Sequence, residues 1–354
     1  MKNKKEFKAP SELRFSLISS DWVVVATGRA RRPKSFKREK RIKVHTSSKD
    51  CFFCNIDSQL PPTLISQKGK TKTFLHSNQE KNAKINIPKN WTLVVIPNKY
   101  PAFTKQGGLN IRKEGIHHLM NAYGAAEVVI TRSHTKQMAQ LSVEEVEEVL
   151  TAFQERYLAL MKDKYINYIS IFQNHGVEAG ASIAHPHSQI IATPALDPKI
   201  TRSLRGAKEY YKHHKECPYC LMNKWDRKNP DRIVYENKEF LAVCPFASTS
   251  AFQVSITPKR HLSYFEKITK KQKKYLADAF SVVLKKLYKG LSDPPYNFYL
   301  HTAPCDGRNH DYYHWHWVIE PKMATMAGFE LCTGIEISTI EPEKAAEYLR
   351  NQKI

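Results

Sequence analysis

No stretch of the chain approaches the roughly 18 consecutive apolar residues of a membrane-spanning helix, so no helical membrane span is expected. The start, Met1-Lys2-Asn3-Lys4-Lys5-Glu6, is basic, but no apolar region follows it. That argues against a secretory signal and leads us to expect a cytoplasmic protein with no membrane partner. Cysteine is sparse, with seven residues in a chain without an export signal, so a disulfide framework is not expected. No carboxylate cluster suited to a catalytic magnesium is evident either. Acidic residues are in the minority, 34 against 56 Lys and Arg, which leaves a formal net charge of +22. Such a charge invites a nucleic-acid reading. The lysines are spread along the chain, however, and only Lys37-Arg38-Glu39-Lys40-Arg41 is dense. A lysine-rich surface that favours anionic phosphate ligands during encounter is the better reading.

What is present is ordinary for a folded chain. Its 354 residues allow about two domains, and 41% hydrophobic with 25% charged residues is a globular composition. Four cysteines form two C-x-x-C pairs, Cys51/Cys54 and Cys217/Cys220, at metal-ligand spacing. The others, Cys244, Cys305 and Cys332, are expected to be small buried side chains.

The order of events around the first pair recurs around the second. After Cys51 and Cys54 come an irregular polar stretch over 56–90, then a strand in Trp91-Thr92-Leu93-Val94-Val95-Ile96. A second strand, Glu127-Val128-Val129-Ile130-Thr131, ends three residues before His134. A helix capped by Ser142 with Glu145 three residues on carries Val146, Val149, Leu150, Phe153 and Tyr157 on one stripe. A strand over 165–172 then leads to His185-Pro186-His187-Ser188-Gln189. In the second half, Cys217 and Cys220 precede strands at 240–244 and 252–257 and then His261. A helix capped by Thr269 with Gln272 follows and stops at Gly290, and a strand over 296–301 leads to His314-Trp315-His316. The pattern predicts an α+β fold made of two copies, each an antiparallel sheet with packed helices. We divide it into residues 1–195 and 196–354.

Each copy offers two thiolates and two histidines, the four N or S ligands of tetrahedral zinc. The expected sets are Cys51, Cys54, His134 and His185 in one, and Cys217, Cys220, His261 and His314 in the other. Sites closed by four protein ligands are structural; iron could occupy the same ligands, and a redox pair is the weaker alternative. The copies differ beyond the ligand histidine. In an extended strand His185, His187 and Gln189 share a face. A neutral imidazole there can attack phosphorus while the amide donates to a phosphoryl oxygen, so His187 is the candidate nucleophile and Gln189 its partner. The competing reading is a pair of hydrogen-bonded core histidines. Three arginines in Gly28-Arg29-Ala30-Arg31-Arg32-Pro33 either clasp a diphosphate or form a solvated turn.

The run from Asn174-His175-Gly176 through Gly180-Ala181-Ser182 to the H-P-H-S-Q segment resembles the galactose-1-phosphate uridylyltransferase branch of the histidine-triad superfamily. The resemblance extends to the Gly28–Pro33 turn, Cys51-Phe52-Phe53-Cys54, Pro97-Asn98-Lys99-Tyr100-Pro101 and Ala327-Gly328-Phe329-Glu330, in the family's order. It implies tandem histidine-triad-like domains, a homodimer, and exchange of a uridylyl group between a nucleotide sugar, UDP-glucose, and a sugar 1-phosphate, galactose 1-phosphate, through a uridylyl-histidine. It supports the same two zinc sets. It also implies that Arg29, Arg32, Asn98, Asn174, Gly180, Ser182 and Glu330 bind the substrate. Ser188 stands where the galactose enzymes commonly have glycine, and the tail from Gly328 to Gly334 looks similar to that of plant ADP-glucose phosphorylase. Adenylyl transfer to phosphate is therefore the alternative. A zinc-stabilised nucleic-acid-binding protein without catalysis is the reading from another class; it leaves the Gly-rich approach to H-P-H-S-Q unexplained.

Overall fold

The computed structural model describes residues 10–27, 47–74 and 85–354. The Gly28–Pro33 turn with Arg29 and Arg32, and the basic cluster at 37–41, lie outside the described residues. The first half comprises β1 (Glu12–Phe15), β2 (Trp22–Val25), β3 (Leu64–Gln67), β4 (Lys70–Thr73), β5 (Leu93–Pro97), β6 (Arg112–Glu114), β7 (His117–Leu119), β8 (Ala125–Thr131), α1 (Val143–Leu160), β9 (Tyr168–His175) and β10 (His187–Thr193). The second comprises α2 (Pro198–His214), α3 (Pro218–Lys228), β11 (Ile233–Glu236), β12 (Phe240–Val243), β13 (Val254–Pro258), α4 (Lys270–Leu291), β14 (Tyr296–His301), β15 (His316–Pro321), α5 (Gly328–Thr333), β16 (Ile337–Ser338) and α6 (Pro342–Arg350).

The fold is α+β and tandem, as the repeat implies, but the two sheets do not stay separate. They join edge to edge into one 11-stranded sheet in the order β11-β12-β13-β15-β14-β9-β10-β8-β5-β3-β4. The seam is β9 against β14, antiparallel, with Asn174 opposite Asn297. Each half thereby covers the strand edge that the other would leave unpaired. The stretch 56–90 is less irregular than its composition suggests, because Leu64, Ile65 and Ser66 pair with β5 and bring the β3–β4 hairpin onto the sheet. A smaller sheet, β1-β2-β16, stands apart from the large one.

Helices α1 and α4 start where the sequence caps them. Ser142 Oγ accepts from the Glu145 amide at 3.2 Å while Glu145 accepts from the Ser142 amide at 2.7 Å, and Thr269 with Gln272 repeats the exchange. These reciprocal bonds satisfy amides that the first helical turn leaves open. Both helices pack on one face of the sheet in a core containing Phe153, Phe265, Phe280, Phe298 and Trp317. The alternation His314-Trp315-His316-Trp317 sends both fully buried tryptophans to that face and both histidines to the other. The corresponding first-half positions are Pro186 and Ser188. Of the remaining cysteines, Cys244 is buried and Cys305 partly so, but Cys332 is exposed on α5, contrary to the expectation that all three are interior.

Candidate active site and metal centres

The face of the sheet away from α1 and α4 holds both Cys/His groups. In the first, Cys51 and Cys54 lie before β3, His134 follows β8 and His185 precedes β10, yet their ligand atoms all fall within 4.8 Å of one another. Cys54 Sγ is 3.3 Å from His134 Nδ1 and 3.5 Å from His185 Nδ1, and Cys51 Sγ is 3.6 Å from His185 Nδ1. Tetrahedral zinc, with bonds of about 2.3 Å to sulfur and about 2.0 Å to nitrogen, sets sulfur and nitrogen about 3.5 Å apart. The second group, Cys217, Cys220, His261 and His314, repeats the arrangement, with Cys220 Sγ 3.4 Å and 3.6 Å from the two Nδ1 atoms.

Backbone carbonyls fix the tautomers. His185 Nε2 donates to the Thr131 carbonyl at 2.7 Å, His261 Nε2 to that of Asp311 at 2.6 Å, and His314 Nε2 to that of Pro258 at 2.9 Å. A carbonyl can only accept, so the proton sits on Nε2 and the Nδ1 lone pair faces the sulfurs. Burial pushes the Cys54 thiol up to about 11, and Cys51 beside it adds to the shift. A cation at the centre relieves both effects, so both groups fit a metal ion.

His187 opens β10, where half-buried His187 and Gln189 alternate with buried Ser188 and Ile190. His187 Nδ1 donates to the His185 carbonyl at 2.9 Å, which leaves the lone pair on Nε2. Burial lowers its pKa below the ordinary 6.5, against the opposing backbone bond, so the ring is neutral near pH 7. Phe53, inside the first C-x-x-C, meets the His187 ring edge-on at 5.1 Å and the His185 ring at 5.9 Å. Sequence reasoning passed over Phe53; its place between two proposed ligands was the available signal. Ser188 points to the opposite face and donates to Gln173 at 2.9 Å, so it does not line the site.

Strand register gathers several of the other expected residues. Gln189 lies opposite Val128 on one side and Phe172 on the other, and its amide has no bond to any described residue. The pairing of Ser188 with Gln173 brings His187, one step on, opposite Asn174. Asn98, whose amide nitrogen donates to the Ala126 carbonyl, shares the face of Val128 and Gln189 and accepts from the Tyr100 amide through Oδ1 at 3.0 Å. Gly180 and Ser182 are exposed on the loop between β9 and β10. Glu330 is instead engaged at the start of α5, where it accepts from the Ala327 amide at 3.1 Å, and no bond or ring contact joins it to His187.

The same positions in the second half are closed over. His316 Nδ1 donates to the His314 carbonyl at 3.1 Å, just as His187 does to His185. Its ring, however, is walled by Tyr219 at 5.3 Å and His301 at 5.1 Å. Ile200, Leu204 and Ala207 of α2 pack over Tyr219 and Tyr313. Among the described residues, His187 is partly exposed whereas His316 is buried.

The family model described as "Galactose-1-phosphate uridyl transferase, N-terminal domain" matches residues 2–197, more than half of the chain. The chain belongs to the galactose-1-phosphate uridylyltransferase family. It is accordingly a nucleotidyltransferase of that family. A second family model, for a domain of unknown function, matches residues 118–352. ADP-glucose phosphorylase of Arabidopsis thaliana is 30% identical over 96% of this chain and 92% of its own length. Galactose-1-phosphate uridylyltransferase of Thermotoga maritima is 28% identical over 97% and 99%. Among solved structures, the Arabidopsis ADP-glucose phosphorylase with bound ADP-glucose has a TM-score of 0.76 at 27% identity, covering 97% of this chain and 100% of that one. A uridylyltransferase structure has a TM-score of 0.69 at 27% identity, covering 81% and 97%.

Proposed function

We propose that the enzyme exchanges a uridylyl group between UDP-glucose and galactose 1-phosphate in two displacements through His187. The observation that supports the displacements through His187 is the bond from its Nδ1 to the His185 carbonyl, because it aims an unprotonated Nε2 away from the backbone. The choice of uridylyl and galactose 1-phosphate follows the family. In the first displacement Nε2 attacks the α-phosphorus, an N–P bond forms, and the bond to glucose 1-phosphate breaks. The histidine then carries the uridylyl group as a cationic imidazole adduct whose Nδ1–H stays on the His185 carbonyl, which stabilises that charge. In the second displacement the phosphate oxygen of galactose 1-phosphate attacks the same phosphorus and His187 leaves.

Gln189 and Asn174 are proposed to donate to the phosphoryl oxygens from either side of His187, with Gly180 and Ser182 supplying the loop against the diphosphate. Asn98 is proposed to hold the nucleoside. Arg29 and Arg32 are proposed to clasp the diphosphate, and Glu330 to reach the sugar, in a homodimer. The two Cys/His groups are each proposed to hold a zinc ion, which would serve as a structural clamp. An ion in the first group would hold His185, and through it the entry to β10.

Adenylyl transfer from ADP-glucose to phosphate is the second reading. It is favoured by the higher TM-score with the ADP-glucose phosphorylase structure, 0.76 against 0.69. Intact-mass measurement after incubation with UDP-glucose or ADP-glucose, without acceptor, separates the two. A uridylyl adduct discharged by galactose 1-phosphate supports the first, an adenylyl adduct discharged by phosphate supports the second, and no adduct from either donor overturns the covalent mechanism.

A further inference from the structure

Asn297 lies on β14, in the second half, across the seam from Asn174. Its Nδ2 donates twice, to the Ala179 carbonyl at 2.8 Å and to Asn174 Oδ1 at 2.9 Å. The Ala179 carbonyl can only accept, which fixes the Asn297 amide with its nitrogen toward the first half. The second N–H of that nitrogen then holds the oxygen end of the Asn174 amide. Asn174 Nδ2 is thereby turned to the other side, where it has no bond to any described residue.

The front of that donor is also kept clear. A Cβ on Gly180 would stand 3.6 Å from Asn174 Nδ2, and Gly180 has a φ of +89°, a left-handed conformation that glycine adopts without strain. The loop therefore leaves a bare N–H beside the strand position opposite His187. Pro295 and Asp293, also from the second half, brace the same loop. Any Cβ on Gly176 would fall 2.8 Å from Pro295 Cβ, and His175 Nε2 lies 2.6 Å from Asp293 Oδ1.

We infer that Asn297 is a positioning residue for nucleotidyl transfer: it orients the Asn174 amide so that its N–H, and not its oxygen, faces the phosphoryl group beside His187. This rests on the proposed function. Without Asn297 no other described residue sets the sense of that amide, and a flipped Asn174 would place an oxygen lone pair against phosphoryl oxygens. The second half, whose own histidine is walled in, would thus act on the reaction at the first half's site through one side chain.

The test is a double-mutant cycle on the single-turnover rate of adduct formation at His187, read by intact mass with the donor that labels the wild type. N297A is expected to slow the rate 10- to 100-fold, the scale of a misplaced transition-state donor, while the donor concentration at half-saturation moves less than threefold. In the N174A background the same substitution is expected to change the rate less than twofold. A wild-type rate in N297A overturns the inference. So does an equal loss in both backgrounds, which would mean that Asn297 acts on the loop without Asn174. If N297A lacks a cooperative melting transition, the near-isosteric N297D is carried through the same cycle with the same criteria. Failure of the wild type to take an adduct from either donor would instead remove the functional reading beneath the inference.

Discussion

His187 and His185 are joined by a 2.9 Å bond from the Nδ1–H of one ring to the backbone carbonyl of the other residue. His185 in turn gives its Nε2–H to Thr131 and points Nδ1 at Cys51 and Cys54. One histidine thus belongs to a metal group and, through its backbone, sets the tautomer of the next histidine on the same face.

Replacing His187 by glycine should abolish adduct formation and lower kcat by at least about 10⁴-fold, the scale of losing a nucleophile. Circular dichroism and metal content should match the wild type, because no ligand atom is removed. Loss of metal in H187G, measured by plasma mass spectrometry, would mean that the nucleophile and ligand roles are exchanged.

The two Cys/His groups should bind metal independently. C51S/C54S is expected to reduce the content from two ions per chain to one, and so is C217S/C220S. The first variant should also lose turnover, since it frees His185 and the entry to β10. The second should mainly lower the melting temperature. A chain that holds no ion in either intact group would contradict the fit of the ligand atoms.

Arg156 on α1 and Glu127 on β8 form a bidentate pair at 2.7 and 2.8 Å, each only 4% exposed. Removing one partner leaves a buried, uncompensated charge. R156A is expected to cost about 3–5 kcal/mol in urea unfolding, and E127Q/R156M clearly less than the single change. An equal cost for single and double variants would show that packing, and not charge, dominates there.

Glu343 at the start of α6 has its pKa lowered: burial opposes ionisation, but the bond from Arg14 of β1 at 2.9 Å, with Arg232 nearby, outweighs it. A carboxylate lowered in the folded state stabilises the fold above its ordinary value of 4.5, and that contribution disappears as pH falls through the lower folded value. Wild type should therefore lose stability relative to E343Q below about pH 4.5, with the largest difference between them near neutrality. Parallel melting-temperature curves for the two proteins from pH 7 to 3 would refute this.

Much of the site is legible in the chain because its signals are local or periodic. The caps at Ser142 and Thr269, the two C-x-x-C pairs and the period-two alternation of H-P-H-S-Q each depend on neighbours a few residues away. Cap bonds, chelate spacing and strand faces follow directly from such neighbours. The contrast between H-P-H-S and H-W-H-W also reports which half carries large tryptophans on its core face.

Other features depend on distant pairing. The order C-x-x-C, histidine, H-x-H determines two copies of one domain and, in each, a Cys/His group that could hold a metal ion, since the same short-range chemistry is written twice. Only the tertiary structure joined the copies at β9 and β14, packed α2 over the Tyr219 that walls His316, and brought Asn297 to Asn174 across 123 positions of sequence. Those outcomes arise because an open sheet edge and an apolar helix stripe must each find a partner, and sequence spacing does not say which partner will be nearest once the chain is compact.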